Sequence, residues 1–179
     1  MRKLIHGEIL QERLTNEEAI EAERHPVSIM AVNIRSMYNI GSLFRTADSA
    51  LASELILTGF SPYPPREEIR KTALGAVDSV PWKYFQNTLD AIKYQKDKGF
   101  KIFALELTDK KRYYDSLSIN EYPLCILLGN EISGLEDEVI DACDDSIEIP
   151  MFGVKHSLNV SVAAGIALFE AVKIWKKQS

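Results

Sequence analysis

Residues 147–175 read I-E-I-P-M-F-G-V-K-H-S-L-N-V-S-V-A-A-G-I-A-L-F-E-A-V-K-I-W, and the fold turns on how they are interpreted. The stretch opens as a short apolar strand halted at Pro150, crosses a loop containing Gly153, and runs into a helix whose first turn carries Ser157, Asn159 and Ser161. Such a helix start offers free N–H groups and side-chain oxygens to a polar ligand. Val160, Val162, Ala163, Ala164, Gly165 and Ala167 then keep the helix narrow and apolar, suited to close backbone packing. By itself the segment is ordinary: Ser157 reads as an N-cap and the small residues as core filler. Two further segments of matching chemistry give it meaning.

Working back toward the N-terminus, strands and helices alternate. Ser146 to Pro150 is the last predicted strand and Leu135 to Cys143 the short helix before it. Leu124 to Leu128 and Lys101 to Leu107 are apolar strands, and Thr88 to Lys98 is a helix stopped by Gly99. Trp82 to Phe85 lies in an irregular stretch, and Gly59 to Lys71, with Pro62, Pro64 and Pro65, reads as a mobile loop. Glu54 to Thr58 is a strand, Asn39 to Ala50 a helix, and Val27 to Val32 a strand apolar enough to be buried on both faces. Thr15 and Glu18 form a capping-box pattern opening a short helix, preceded by an arm. Strand–helix alternation predicts a parallel, three-layer α/β sheet. Its ligand belongs at the carboxyl ends of the strands, in the loops after Val32, Leu128 and Pro150. The expected organisation is an arm over residues 1–26 and one domain over 27–179.

Composition narrows the class. A chain of 179 residues can bury a core without staples, and 46% hydrophobic with 26% charged residues is usual for a globular protein. No apolar run is long enough to cross a bilayer and the N-terminus lacks a signal-peptide core, so a cytoplasmic protein is expected. Cys125 and Cys143 have no C-x-x-C spacing and read as buried thiols; the three histidines form no ligand pattern, and no metal is expected. A net charge of −5 requires that any nucleic-acid binding use a local basic patch.

The other two segments fall at the predicted strand ends. In N-I-R-S-M-Y-N-I-G-S-L-F-R-T-A-D-S-A (residues 33–50), Asn39 and Gly41 open the helix and Arg45 lies one to two turns in, a planar fork of donors suited to phosphate or a developing oxyanion. Its bland alternative is an exposed arginine paired with Asp48. In L-L-G-N-E-I-S-G-L-E-D-E-V (residues 127–139), Gly129 permits close approach to backbone and Glu131 places a carboxylate at a strand end. Neither segment is a G-x-G-x-x-G or a Gly-Lys-Ser phosphate loop, which disfavours a dinucleotide fold.

Together, N-x-G-x-x-x-R-T-A (Asn39 to Ala47), G-N-E-x-x-G-L (Gly129 to Leu135) and I-P-M-x-G-x-x-x-S-L-N-V-S-V-A-A-G (Ile149 to Gly165) resemble the three signature motifs of the SpoU, or TrmH-like, RNA ribose 2′-O-methyltransferases, in that family's order. The resemblance implies a knotted α/β fold of the SPOUT class with a C-terminal trefoil knot, a homodimer, S-adenosylmethionine as cofactor and an RNA substrate, tRNA or rRNA. It implies Arg45 as the catalytic arginine, with Asn39, Glu131, Ser157 and Asn159 completing the site. The cofactor would lie against Leu105, Glu106, Leu107, Leu128, Gly129, Asn130, Ile149, Met151, Ser157, Leu158 and Asn159. Because a guanidinium keeps its charge at any working pH, Arg45 is read as stabilising a nascent alkoxide and fixing the adjoining phosphate rather than as a base.

The RNA surface implied comprises Arg35, Arg45, Arg66, Arg70 and Lys71, with Lys155, His156 and the arm residues Arg2, Lys3 and Arg13. Knot-fold dimers bring arginines of one subunit to the partner's cofactor, which would concentrate charge that one chain spreads thinly. The sequence reads as lacking a separate RNA-binding domain or a basic C-terminal extension. A catalytically silent RNA- or nucleotide-binding dimer of the same fold is the alternative, supported by the acidic balance.

Overall fold

The computed structural model describes residues 1–11 and 13–178. Two short helices, α1 (His6–Gln11) and α2 (Asn16–Glu21), precede the sheet. The capping box at α2 forms as expected: Thr15 Oγ1 accepts from the Glu18 amide and the Glu18 carboxylate accepts from the Thr15 amide. Arg24 fastens this region to the body by donating to the carbonyls of Ala19, Ala52 and Ser79.

The chain then alternates: β1 (Val27–Val32), α3 (Met37–Ser49), β2 (Leu55–Thr58), α4 (Glu67–Ala73), α5 (Ala76–Ser79), β3 (Trp82–Phe85), α6 (Thr88–Asp97), β4 (Lys101–Leu105), β5 (Leu124–Leu128), α7 (Asp137–Asp141), β6 (Asp145–Ile147) and α8 (Val160–Gln178). The six strands form one parallel sheet in the order β3-β2-β1-β5-β4-β6. Every residue of the central β1 and β5 is buried, as their nearly continuous apolar runs, broken only by Ser28, require. Alternate residues point to opposite faces. Val27, Ile29 and Ala31 of β1 with Leu124, Ile126 and Leu128 of β5 pack under α3 and α8; Met30, Val32, Cys125 and Leu127 pack under α6 and α7. The three-layer α/β expectation holds.

Four local expectations are corrected. Trp82 to Phe85 is not irregular but the edge strand β3, in register with Leu55 to Thr58. Its mixed, half-buried W-K-Y-F gives a weak strand signal, and pairing with β2 supplies what local pattern lacks. The end of the loop expected over Gly59 to Lys71 is instead helical, residues 67–71 falling in α4, because Ile69 and Ala73 bury against α3. Strands β4 and β6 stop at Leu105 and Ile147, leaving residues 106–107 and 148–150 outside them. The last helix starts at Val160, so Ser157 and Asn159 precede it instead of lying in its first turn.

Candidate active-site cleft

A cleft of about 710 Å3 opens where β5, β4 and β6 end side by side. It is walled by the strand-end segments around Leu105–Leu107, Leu128–Leu135, Glu148–Met151 and His156–Val160. All the residues assigned to a cofactor from the sequence, from Leu105 to Asn159, line it, as do Glu131 and Ser157. The sequence reading missed Ile132, Ser133, Gly134, Asp137, Ile140, Glu148, Val160 and Ala163 on the same walls. Gly134 sits inside the quoted G-N-E-x-x-G-L motif and could have been found there; Ile140 and Glu148 carry no local signal.

Close backbone approach shapes one wall. The Asn130 amide donates to the Gly134 carbonyl at 3.1 Å and the Gly134 amide returns a bond to the Asn130 carbonyl at 2.9 Å. A Cβ at Gly129 would stand 2.6 Å from the carbonyl carbon of Gly134, so no side chain fits there. Glu106 braces the same turn, accepting from the amides of Leu107 (3.0 Å) and Leu135 (3.2 Å). The Asn130 side chain is already committed: its amide donates to the Asn33 carbonyl at 2.6 Å, and its oxygen accepts from the amides of Ile132 and Ser133. Asn130 is therefore a support of the wall.

Residues from all three sequence segments meet at the cleft edge. Asn39 donates from Nδ2 to Glu131 Oε1 at 2.9 Å, and its Oδ1 accepts from Asn159 Nδ2 at 3.2 Å. The Arg35 amide donates to the other Glu131 oxygen at 3.2 Å. Burial would raise the Glu131 carboxyl, but the Asn39 side chain and the backbone amides of Glu131, Arg35 and Ser36 outweigh it and hold it below its ordinary value of 4.5. Asn159 Oδ1 accepts from the Ser161 amide at 3.0 Å, so Asn159, not Ser157, caps α8; Ser157 stays exposed at the cleft.

Arg45 does not line the cleft. It is exposed on α3, next to Thr46, whose methyl lies 3.8 Å from where a Cβ of Gly165 would stand. It thus flanks the seam along which α3 and α8 touch, at Asn39–Asn159 and again at Thr46–Gly165. The pairing with Asp48 does not form; Asp48 accepts from Ser79 Oγ at 2.6 Å.

Of the other cations assigned to RNA, Arg35 and Arg66 rim a second, smaller cleft with Phe60, Tyr63 and Tyr84. Lys71 is exposed, and Arg70 is engaged loosely by Asp78 at 3.6 Å. Among the described residues no group of His, Cys, Asp and Glu is placed to hold a metal ion, and no helix is long and apolar enough to cross a membrane.

Residues 26–169 match the sequence profile of the SpoU rRNA Methylase family. The chain belongs to this family. Among SpoU relatives, the 23S rRNA (guanosine-2'-O-)-methyltransferase RlmB of Photobacterium profundum is 32% identical over 154 residues, covering 86% of this chain and 62% of the relative. The TrmH/SpoU tRNA modifying enzyme of A. aeolicus superposes with a TM-score of 0.81 at 26% identity, covering 95% of this chain and 86% of that one. An AdoMet-bound rRNA methyltransferase from Sinorhizobium meliloti does so with a TM-score of 0.78 at 32% identity, covering 84% and 57%. The chain spans 63% and 62% of the length of the first relatives it matches.

Proposed function

We propose that this SpoU-family chain transfers a methyl group from S-adenosylmethionine to a ribose 2′-hydroxyl of tRNA or rRNA. One observation carries the reading: the Asn159–Asn39–Glu131 hydrogen-bond chain gathers all three motif segments at the edge of one cleft. The cleft suits the cofactor. Leu105, Ile149 and Leu158 offer apolar surface to an adenine, while the strand-end backbone and the helix start at Asn159 offer hydrogen-bonding groups to ribose and amino-acid tail. S-adenosylmethionine supplies a methyl group made electrophilic by its sulfonium.

With the cofactor bound, the 2′-oxygen would form the O–CH3 bond as the S–CH3 bond breaks, the sulfur keeping that bonding pair and leaving as the neutral thioether S-adenosylhomocysteine while the hydroxyl proton passes to water. Arg45, exposed on α3 outside its own chain's cleft, is read as serving the partner's cleft in the dimer, where it stabilises the oxygen as charge develops and grips the adjoining phosphate. Glu131, held ionised by Asn39 and the Arg35 amide, fixes the loop after β1 against the cleft. Ser157 and Asn159 shape the cofactor's side of the site. Arg35, Arg66, Arg70 and Lys71 contact the RNA backbone.

The working unit is a homodimer with a threaded C-terminal segment. Val162 and Phe169 leave 50% and 49% of their surface exposed two turns apart on one face of α8, which a second copy would cover. The arm over residues 1–26 and the domain over 27–179 act as one cytoplasmic protein.

The test is transfer of labelled methyl groups from S-adenosylmethionine into bulk RNA from cells lacking the protein, followed by mapping of the modified nucleotide. Transfer to a ribose 2′-oxygen supports the reading. Calorimetric binding of cofactor with no transfer to any RNA would instead favour the silent binding dimer.

A further inference from the structure

The second cleft, about 280 Å3, lies at the carboxyl ends of β1, β2 and β3, on the side of the sheet away from β6. Phe60 and Tyr63 line it with 61% and 43% of their surface exposed, and Tyr84 backs Tyr63 with ring centroids 4.4 Å apart. Arg35 and Arg66 stand at its rim, both exposed and neither in an ion pair among the described residues. In a chain of net charge −5, two unneutralised guanidinium groups beside bare aromatic rings are a specific arrangement.

The walls are fixed in advance. Tyr84 donates its hydroxyl to the Gly59 carbonyl at 2.7 Å, and Asn33 Oδ1 accepts from the Phe60 amide at 3.1 Å. Ser61, fully enclosed, donates to the Ala31 carbonyl and accepts from the Ile34 amide. A ligand entering here orders little that is not already ordered.

We propose that this cleft seats the base of an unpaired RNA nucleotide, stacked on Phe60 and Tyr63, with Arg35 and Arg66 on the neighbouring phosphates. The inference rests on the RNA-directed reading above and names a subsite for it. Stacking needs an aromatic face without regard to base identity, and the planar guanidinium suits both phosphate and a ring edge. A paired base is sheltered in its duplex, so only a nucleotide already splayed out can enter. Arg35 joins the two clefts, since its amide holds Glu131 while its side chain rims the seat. A strand crossing Arg35 would present one nucleotide's base to the seat and a ribose to the Asn39–Glu131 edge.

The experiment measures fluorescence anisotropy of the full chain with a short unstructured oligoribonucleotide and with the same strand annealed to its complement. Phe60→Ala and Tyr63→Ala should each weaken single-strand binding roughly ten-fold, with the salt slope unchanged. Tyr63→Phe, which keeps the ring, should bind as wild type, whereas Arg66→Ala should reduce the salt slope by about one. Phe60 projects from the surface, so its truncation leaves the core intact, and thermal unfolding of each variant checks this. Binding by both alanine variants within about two-fold of wild type, an equal penalty on the duplex, or no binding of the single strand by wild type overturns the seat. Calorimetry with S-adenosylmethionine is read separately: loss of cofactor binding in wild type would sink the methyltransferase reading while leaving the stacking result to decide the seat.

Discussion

Asn39 uses both ends of one amide, giving a proton to Glu131 and taking one from Asn159. Only Asn or Gln can do this, and Gln would displace one contact by a methylene. Asn39→Ala leaves the exposed Glu131 carboxylate without its side-chain donor. Solvent screens this exposed pair, leaving the hydrogen bond worth about 0.5–1.5 kcal/mol, so kcat/KM for methyl transfer should fall roughly 2- to 10-fold. Arg45→Ala should lower kcat more, roughly 10^2- to 10^3-fold, with cofactor affinity by calorimetry unchanged, and Arg45→Lys should not restore it. Wild-type rates in Arg45→Ala would overturn the role given to that guanidinium. Glu131 adds a pH signature. Its folded carboxyl titrates below 4.5, so its stabilising contribution is complete above that value and is lost as pH falls through the folded value. The difference in urea-unfolding stability between wild type and Glu131→Gln should therefore be constant near neutrality and shrink in acid below pH 4.5.

Between elements, close approach is set by glycine at the crossing of α3 and α4. A Cβ on Gly41 would sit 2.5 Å from the Ile69 carbonyl oxygen, and backbone cannot retreat as a flexible side chain can. Gly41→Ala should destabilise the fold by about 1–3 kcal/mol, read as a lower urea midpoint with unchanged m-value. At the far edge, β6 has only three residues and one strand neighbour, and a charge cluster assists it. Asp145 is held by Lys110 at 2.9 Å and Arg112 at 2.7 Å, and Arg112 also binds Glu121 at 2.8 Å. Burial opposes ionisation of Asp145, yet Lys110, Arg112 and the Ser146 amide prevail and hold its carboxyl at about 2. That support is present above the ordinary value of 3.8 and disappears as pH drops toward 2. Asp145→Asn should accordingly lower the thermal midpoint near neutrality and match wild type in strong acid.

For the whole molecule, the exposed stripe of α8 makes association measurable. Val162→Glu combined with Phe169→Glu should give a monomer by light scattering where wild type gives a dimer; a monomeric wild type would remove the dimer from the proposal. Much of this architecture is written locally. The nearly continuous apolar runs at Val27–Val32, broken only by Ser28, and at Leu124–Leu128 suit neither water nor a half-exposed sheet, so they fix the centre of a parallel sheet. The glycines and polar residues at their ends mark the cleft, because carboxyl-end loops are where such a sheet admits ligands. The capping box at Thr15 and the Gly99 stop need no tertiary help. Trp82 to Phe85 became a strand only because β2 offered a partner, and residues 67–73 a helix only because α3 offered a face to Ile69. No periodicity in the chain could join Asn39 to Glu131, 92 positions away, or to Asn159, 120 away, since hydrogen bonds of that span depend on which strands lie side by side. Residue chemistry and local pattern thus determined the strands, the loops and the family motifs. Only packing decided the strand order, and with it which polar groups stand within reach of one another.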